Sequence, residues 1–232
     1  MDLGYMSYDT FHTHAGELLD RPDCNTTILP FWRGEALLHH DITAMMALFF
    51  MGNWKPVVFA TNGHLITALW DRGIYSFIKL INISVHDQQG LQAVRWLLDK
   101  RGLAPLPMIQ ASFVEQSQAW TDLAHEASLI PNIEHRIYAQ HTLSGVPGQV
   151  GQHIAIPSRM GICSRLLTDI VIGWDGHISR CCYVWNNDGP KALSDKPISE
   201  LWNSQYLKQI RDSYPDNICL NCDQWSGNGR TL

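Results

Sequence analysis

Five of the six cysteines, Cys163, Cys181, Cys182, Cys219 and Cys222, fall within the last 70 residues of this 232-residue chain. Cysteine used only as a small hydrophobe would be scattered more evenly; here only Cys24 stands apart. The pair in Cys219-Leu220-Asn221-Cys222 can present two thiolates from one turn. Between Cys163 and Cys181 lies Trp174-Asp175-Gly176, whose Asp-Gly step marks a hairpin turn and predicts strands over 168–173 and 177–181. Cys163 would then precede the first strand and Cys181 end the second, so both sulfurs meet at one end. Four thiolates converging in this way, Cys163, Cys181, Cys219 and Cys222, suit tetrahedral zinc or a cubane iron–sulfur cluster. Zinc ribbons usually offer two tight CxxC knuckles, and here one half is spread over a hairpin, which favours iron–sulfur with zinc as the alternative. Adjacent strand residues point to opposite faces. Cys182 therefore reads as a packing residue, with an exchange of roles between Cys181 and Cys182 left open.

The rest of the composition narrows the setting. A chain 45% hydrophobic and 17% charged folds as a globule. A net charge of −5, a pI near 6.1 and no Lys/Arg-rich block give no nucleic-acid footprint. The longest apolar run, residues 44–51, is far too short to span a bilayer, and residues 1–6 lack the pattern of a signal peptide. The expectation is a cytoplasmic protein with no nucleic-acid or membrane partner, where thiols stay reduced and grouped cysteines read first as metal ligands.

The elements that must position these groups alternate. Helices are predicted over 7–19 (Ser7 as N-cap), 42–51 (Asp41 as cap, Gly52 past its end), 65–72, 91–100 and 120–128. Strands are predicted over 26–32, 56–60, 78–85, 108–114 and 133–139. Read as continuous apolar runs, these strands signal a parallel sheet covered by helices, either a partial barrel or an open doubly wound sheet. Gly, Pro and Ser crowd residues 141–159, which read as a linker. The expected domains are thus 1–140, a linker over 141–160, and 161–232, where residues 198–212 form one amphipathic helix.

Two sets of residues carry a family resemblance. Cys163, Gly176, Cys181, the run Ile198-Ser199-Glu200-Leu201-Trp202-Asn203-Ser204, Ile210-Arg211 and the Cys219/Cys222 pair look like the SPASM or twitch domain that follows the core of many radical S-adenosylmethionine (SAM) enzymes. That domain carries auxiliary four-iron clusters; with no cysteine after Cys222, the likeness is to the shorter form with one [4Fe-4S] cluster. Earlier, Gly34-Glu35 resembles the second-strand motif that binds the SAM ammonium, Thr61-Asn62 the third strand end, and Ser84 the fourth, where a hydroxyl contacts the ribose. The resemblance implies a partial (β/α) barrel, a SAM cofactor, an electron donor and a peptide or small-molecule substrate modified by radical chemistry, as in an oxidoreductase. One departure matters: the family's CxxxCxxC loop is absent, and the resemblance places Met6-Ser7-Tyr8 just past where it belongs. The sequence is thus expected to be either a piece of a longer enzyme or a variant without radical chemistry. The alternative from another class is a non-catalytic binding or scaffold protein stapled by zinc or a cluster.

Other conspicuous side chains read as structural. His12, His14, His39, His40, His64 and His86 do not recur at i, i+4 and are expected on the surface or in packing. Trp96, Trp120 and Trp202 sit at helical core positions. Asp87 and Glu115 end strands, where acid–base work competes with capping or simple solvation.

Overall fold

Four parallel strands run side by side in chain order: β1 (Val58–Thr61), β2 (Leu80–Ser84), β3 (Met108–Val114) and β4 (Glu134–Tyr138). This computed structural model describes residues 4–21, 25–32, 34–51, 55–114, 118–138, 163–184, 189–190, 196–215, 219 and 222. The helices between the strands are α3 (Ile66–Asp71), α4 (Gln88–Arg101) and α5 (Gln118–Ser128), preceded by α1 (Tyr8–Leu19) and α2 (Ile42–Met51). Because sheet neighbours are also sequence neighbours, right-handed crossovers all fall on one face. The sheet is therefore singly wound, as in a (β/α) barrel wall, and not doubly wound.

Expected strand 26–32 is reduced to one parallel bridge, Ile28 to Val57. Ile28 N–H donates to Pro56 O at 2.9 Å and Val58 N–H to Ile28 O at 2.9 Å. Leu29 beside it is exposed, so there is no apolar row to hold a longer ladder.

The strands also alternate, contrary to the continuous apolar reading. In register, Phe59–Ile81–Ile109 and Ile83–Ala111 form buried apolar rows. The other face carries Asn82–Gln110 and Ser84–Ser112–Arg136, and Gln110 Nε2 donates to Asn82 Oδ1 at 3.1 Å. Each fully buried Phe or Ile in the apolar rows contributes about 1.5–3 kcal/mol.

Helix α4 shows how local rules set the frame. Asp87 caps it by accepting from Gly90 N–H at 2.9 Å, Leu91, Val94 and Leu97 form its buried face, and Gly102 closes it. In α1, Ser7 Oγ accepts from Thr10 N–H at 3.1 Å, the expected cap. Trp96 is half-buried and meets Trp70 edge-on at 5.9 Å, so it covers the core and does not fill it.

Two compact units divide the chain: Leu18–Ala139, which holds the sheet, and Met1–Glu17 together with Gln140–Leu232. In the second unit the described residues form α6 (Ser164–Thr168), a hairpin of β5 (Val171–Ile172) and β6 (Ile178–Ser179), α7 (Ile198–Trp202) and α8 (Gln205–Asp212). Residues before Glu17 belong here: His14 Nδ1 lies 3.0 Å from Lys196 O, and Glu17 Oε2 accepts from Ser199 N–H at 2.9 Å. The small core is Cys163, Leu166, Ile178, Leu201, Leu207 and Ile210.

The single helix expected over 198–212 is two. Ser204 breaks it by capping α8, its Oγ accepting from Leu207 N–H at 3.4 Å. Arg211 ties the pieces together. Its guanidinium donates to Leu166 O and Trp202 O, each at 3.0 Å, and stacks on Trp202 at 3.9 Å. Arg211→Ala strands those carbonyls and loses the stacking. The expected cost is about 2–4 kcal/mol, read as a lower urea midpoint for the transition of this unit.

Candidate metal centre and the sheet end

Of the five clustered cysteines, Cys163 is buried and the others are half-buried. Cys163 stands at the start of α6, so the first predicted strand is preceded by a short helix instead of beginning near Thr168. The hairpin is as expected. Gly173 N–H donates to His177 O at 2.8 Å, and Gly176 takes φ +81°, a conformation that favours glycine. Within the turn, Asp175 Oδ1 accepts from His177 N–H at 3.2 Å, and Oδ2 lies 2.7 Å from His177 Nδ1. Burial opposes ionisation of Asp175, but the backbone N–H and imidazole of His177 outweigh it and hold the carboxyl below its ordinary 3.8. A depressed carboxyl stabilises above its unfolded pKa and loses that contribution as pH falls through the folded value. Asp175→Asn should therefore flatten the acid limb of the stability curve below pH ~4, measured by urea unfolding, with little change near neutrality.

After β6 the chain turns at once. Val184 N–H donates to Cys181 O at 3.1 Å, and Ser179 Oγ donates to Cys181 O at 3.0 Å. Cys181 and Cys182 thus lie in a turn and not on a strand. Their thiols hydrogen-bond each other, against the expectation of opposite faces. That bond, with burial, pushes the Cys181 thiol up; accepting it, and facing the Arg165 guanidinium, lowers Cys182. Burial raises Tyr183 to about 12, with further increments from Cys182, Cys181 and Cys222. At the C-terminal pair, Cys222 N–H donates to Cys219 O at 3.3 Å, closing a turn between the two cysteines.

At the sheet end, three of the five expected SAM-contacting residues come together. Glu35 Oε2 accepts from Thr61 Oγ1 at 2.9 Å and from Asn62 N–H at 3.2 Å, while Oε1 accepts from Leu37 N–H at 3.1 Å. Gly34, before it, takes φ +86°. Ser84 lies one strand further on, paired in register with Ser112. These are the C-terminal ends of parallel strands, where ligand sites of such sheets form. Gly63 follows with φ +86°, its backbone so close to α4 that a Cβ would stand 2.8 Å from Ala93 Cβ.

Of the other candidates, Asp87 is a helix cap that also pairs with His64 at 3.3 Å, which settles it as capping. Glu115, Cys24, Gly52 and the 141–159 stretch lie outside the described residues. Sequence reasoning missed that His39, His40 and Asp41 bring their ligand atoms within 4.8 Å of one another. However, His39 Nδ1 accepts from Asp41 N–H at 3.0 Å, and the Arg72 guanidinium bonds His39 O at 3.1 Å. That cation disfavours a metal there; the trio starts α2.

The model of an iron–sulfur cluster-binding domain, SPASM, matches residues 163–223. The match takes in every clustered cysteine and the Arg211 tie. Among solved structures, the chain is similar to BtrN in an open conformation. The identity is 13% and the TM-score 0.51, over 95% of this chain and 81% of that one. The likeness is one of fold: a mixed α/β chain with a parallel sheet. No curated protein matches the sequence. Among the described residues, no helix is long and apolar enough to cross a membrane.

Proposed function

We propose that this chain is a radical SAM/SPASM iron–sulfur protein of the cytoplasm. Its SPASM domain would bind one [4Fe-4S] cluster through Cys163, Cys181, Cys219 and Cys222, with Cys182 as the alternate to Cys181. The observation that carries the reading is five cysteines, one of them in the small core, within a segment matching a cluster-binding domain. One CxxC pair with the other two cysteines spread over a hairpin favours iron–sulfur over a zinc ribbon with its two tight knuckles.

The sheet end fits SAM. An ionised carboxylate offers about four acceptor positions, and Glu35 uses three on Leu37, Thr61 and Asn62. The fourth would take the ammonium of the SAM methionine, and Ser84 would face the ribose. In this family the bound groups supply one-electron chemistry and a carbon radical that takes hydrogen from a peptide or small molecule. What the chain's own residues do is narrower: Thr61 and the Asn62 N–H aim the Glu35 carboxylate, and the cysteines hold the relay to an electron donor.

A second reading, a scaffold stapled by its metal, draws on the fact that the Glu35 bonds named above all go to this chain's own groups. Calorimetry with SAM separates the two. The enzyme reading expects binding that weakens about 10- to 100-fold in Glu35→Gln, the loss of one charge-assisted hydrogen bond. Absence of SAM binding in the unaltered chain would leave the scaffold.

A further inference from the structure

Arg165 stands in the first turn of α6, two residues beyond Cys163. Its guanidinium reaches the thiol pair: Nη1 is 3.8 Å from Cys182 Sγ and 3.4 Å from Asp169 Oδ2, and the group lies 5.0 Å from the centre of the Tyr183 ring. Its Nε–H is buried without an acceptor. A buried donor left unpaired carries its full desolvation penalty, which a fold rarely tolerates when a small rotation would expose it. Here the side chain is held on three sides, by Asp169, Tyr183 and Cys182, with its remaining donor inside the sulfur-rich end of the unit.

We propose that Arg165 donates N–H···S hydrogen bonds to the sulfurs of the SPASM cluster and thereby sets its reduction potential. It is a positioning residue, acting through the cluster and not on substrate. The inference rests on the cluster reading above. Its physics is simple: reduction adds one negative charge to the cluster and none elsewhere. A fixed cation and N–H donors at its sulfurs favour the reduced form and raise the potential. The guanidinium lies beside Cys182, and Cys181 is the next residue in the chain. A merely structural Arg165, bracing α6 against the hairpin end through Asp169 and Tyr183, would change stability but not potential.

The experiment is a redox titration, followed by electron paramagnetic resonance, of the full chain reconstituted anaerobically with iron and sulfide. Arg165→Gln should load the wild-type amount of iron yet be harder to reduce. At the wild-type midpoint its reduced-to-oxidised ratio should fall about tenfold, or ~59 mV for one electron. Arg165→Lys keeps the charge but loses the planar donor fork, and should fall about threefold. Full loading of Arg165→Gln at an unshifted potential overturns the inference. Should that variant not retain a cluster, an unshifted Arg165→Lys overturns it instead. A wild-type chain that takes up no cluster sinks the cluster reading itself, and the inference with it.

Discussion

Serine at Cys219 or Cys222 should strip the protein of its iron and acid-labile sulfide, by at least tenfold relative to the unaltered chain after identical anaerobic reconstitution. Two ligands from one turn act as a chelate, and a cubane left with three thiolates from distant segments is readily lost. Cys163→Ser should do the same and also disturb the core, because that side chain packs with Leu166, Ile178 and Leu207. Cys24→Ser should leave iron content unchanged. The adjacent pair gives the sharper result: of Cys181→Ser and Cys182→Ser, one should lose the cluster and the other keep it. Metal binding free energy is folding free energy when the site is absent from the unfolded chain. The cysteine-bearing unit, whose described residues include a packed cluster of only small extent, should therefore unfold at much lower urea in every variant that fails to load. Retention of full iron by both Cys219→Ser and Cys222→Ser would rule out this ligand set.

The second large effect belongs to the sheet. Gly63→Val should destabilise the Leu18–Ala139 unit by about 2–5 kcal/mol. Two costs add there. A left-handed conformation costs a side-chain-bearing residue roughly 1–2 kcal/mol, and forcing atoms into packed space costs about 1–3 kcal/mol more. Both conditions hold, since Gly63 has φ +86° and its Cβ would meet Ala93 Cβ at 2.8 Å and Ile83 Cγ2 at 3.2 Å. Gly73 supplies the control. It has φ +71° but nothing within 4 Å of a built Cβ, so Gly73→Ala should cost only the conformational part, about 1–2 kcal/mol. Denaturant midpoints of the two variants measure the difference. Because Gly63 N–H also donates to Thr61 Oγ1 at 3.1 Å, Gly63→Val should loosen the hydroxyl that aims Glu35. Equal losses in the two glycine variants would show that α4 does not pack against this turn as described.

Much of this arrangement was legible in the sequence, for identifiable reasons. The hairpin at Trp174-Asp175-Gly176 could be read because an Asp-Gly step has few other uses. The strands β1 to β3 could be read because each lies in a short, mostly apolar run bounded by turn residues. The association of Glu35 with Thr61 and Asn62 came from a family resemblance and not from spacing, since they lie 26 and 27 residues apart.

What escaped was set by tertiary context. The polar face of the sheet hid because Asn82, Ser84, Gln110 and Ser112 are single polar residues inside apolar runs, and only strand register lines them up. The break between α7 and α8 hid because Leu201, Leu207 and Ile210 keep a helical spacing across Ser204. Cys181 and Cys182 were placed on a strand because β6 was read two residues too long; its end at Ser179 puts both thiols in a turn, where they face each other. The membership of residues before Glu17 in the cysteine-bearing unit has no local signal at all. It depends on His14 and Glu17 reaching Lys196 and Ser199, 182 residues away.

One determination decides the matter most directly: iron, zinc and acid-labile sulfide per chain in protein purified and reconstituted without oxygen, with Mössbauer spectroscopy of the iron. We predict about four irons and four sulfides per chain with the signature of a single cubane. One zinc per chain with no sulfide would contradict the central claim and leave a structural metal site in its place.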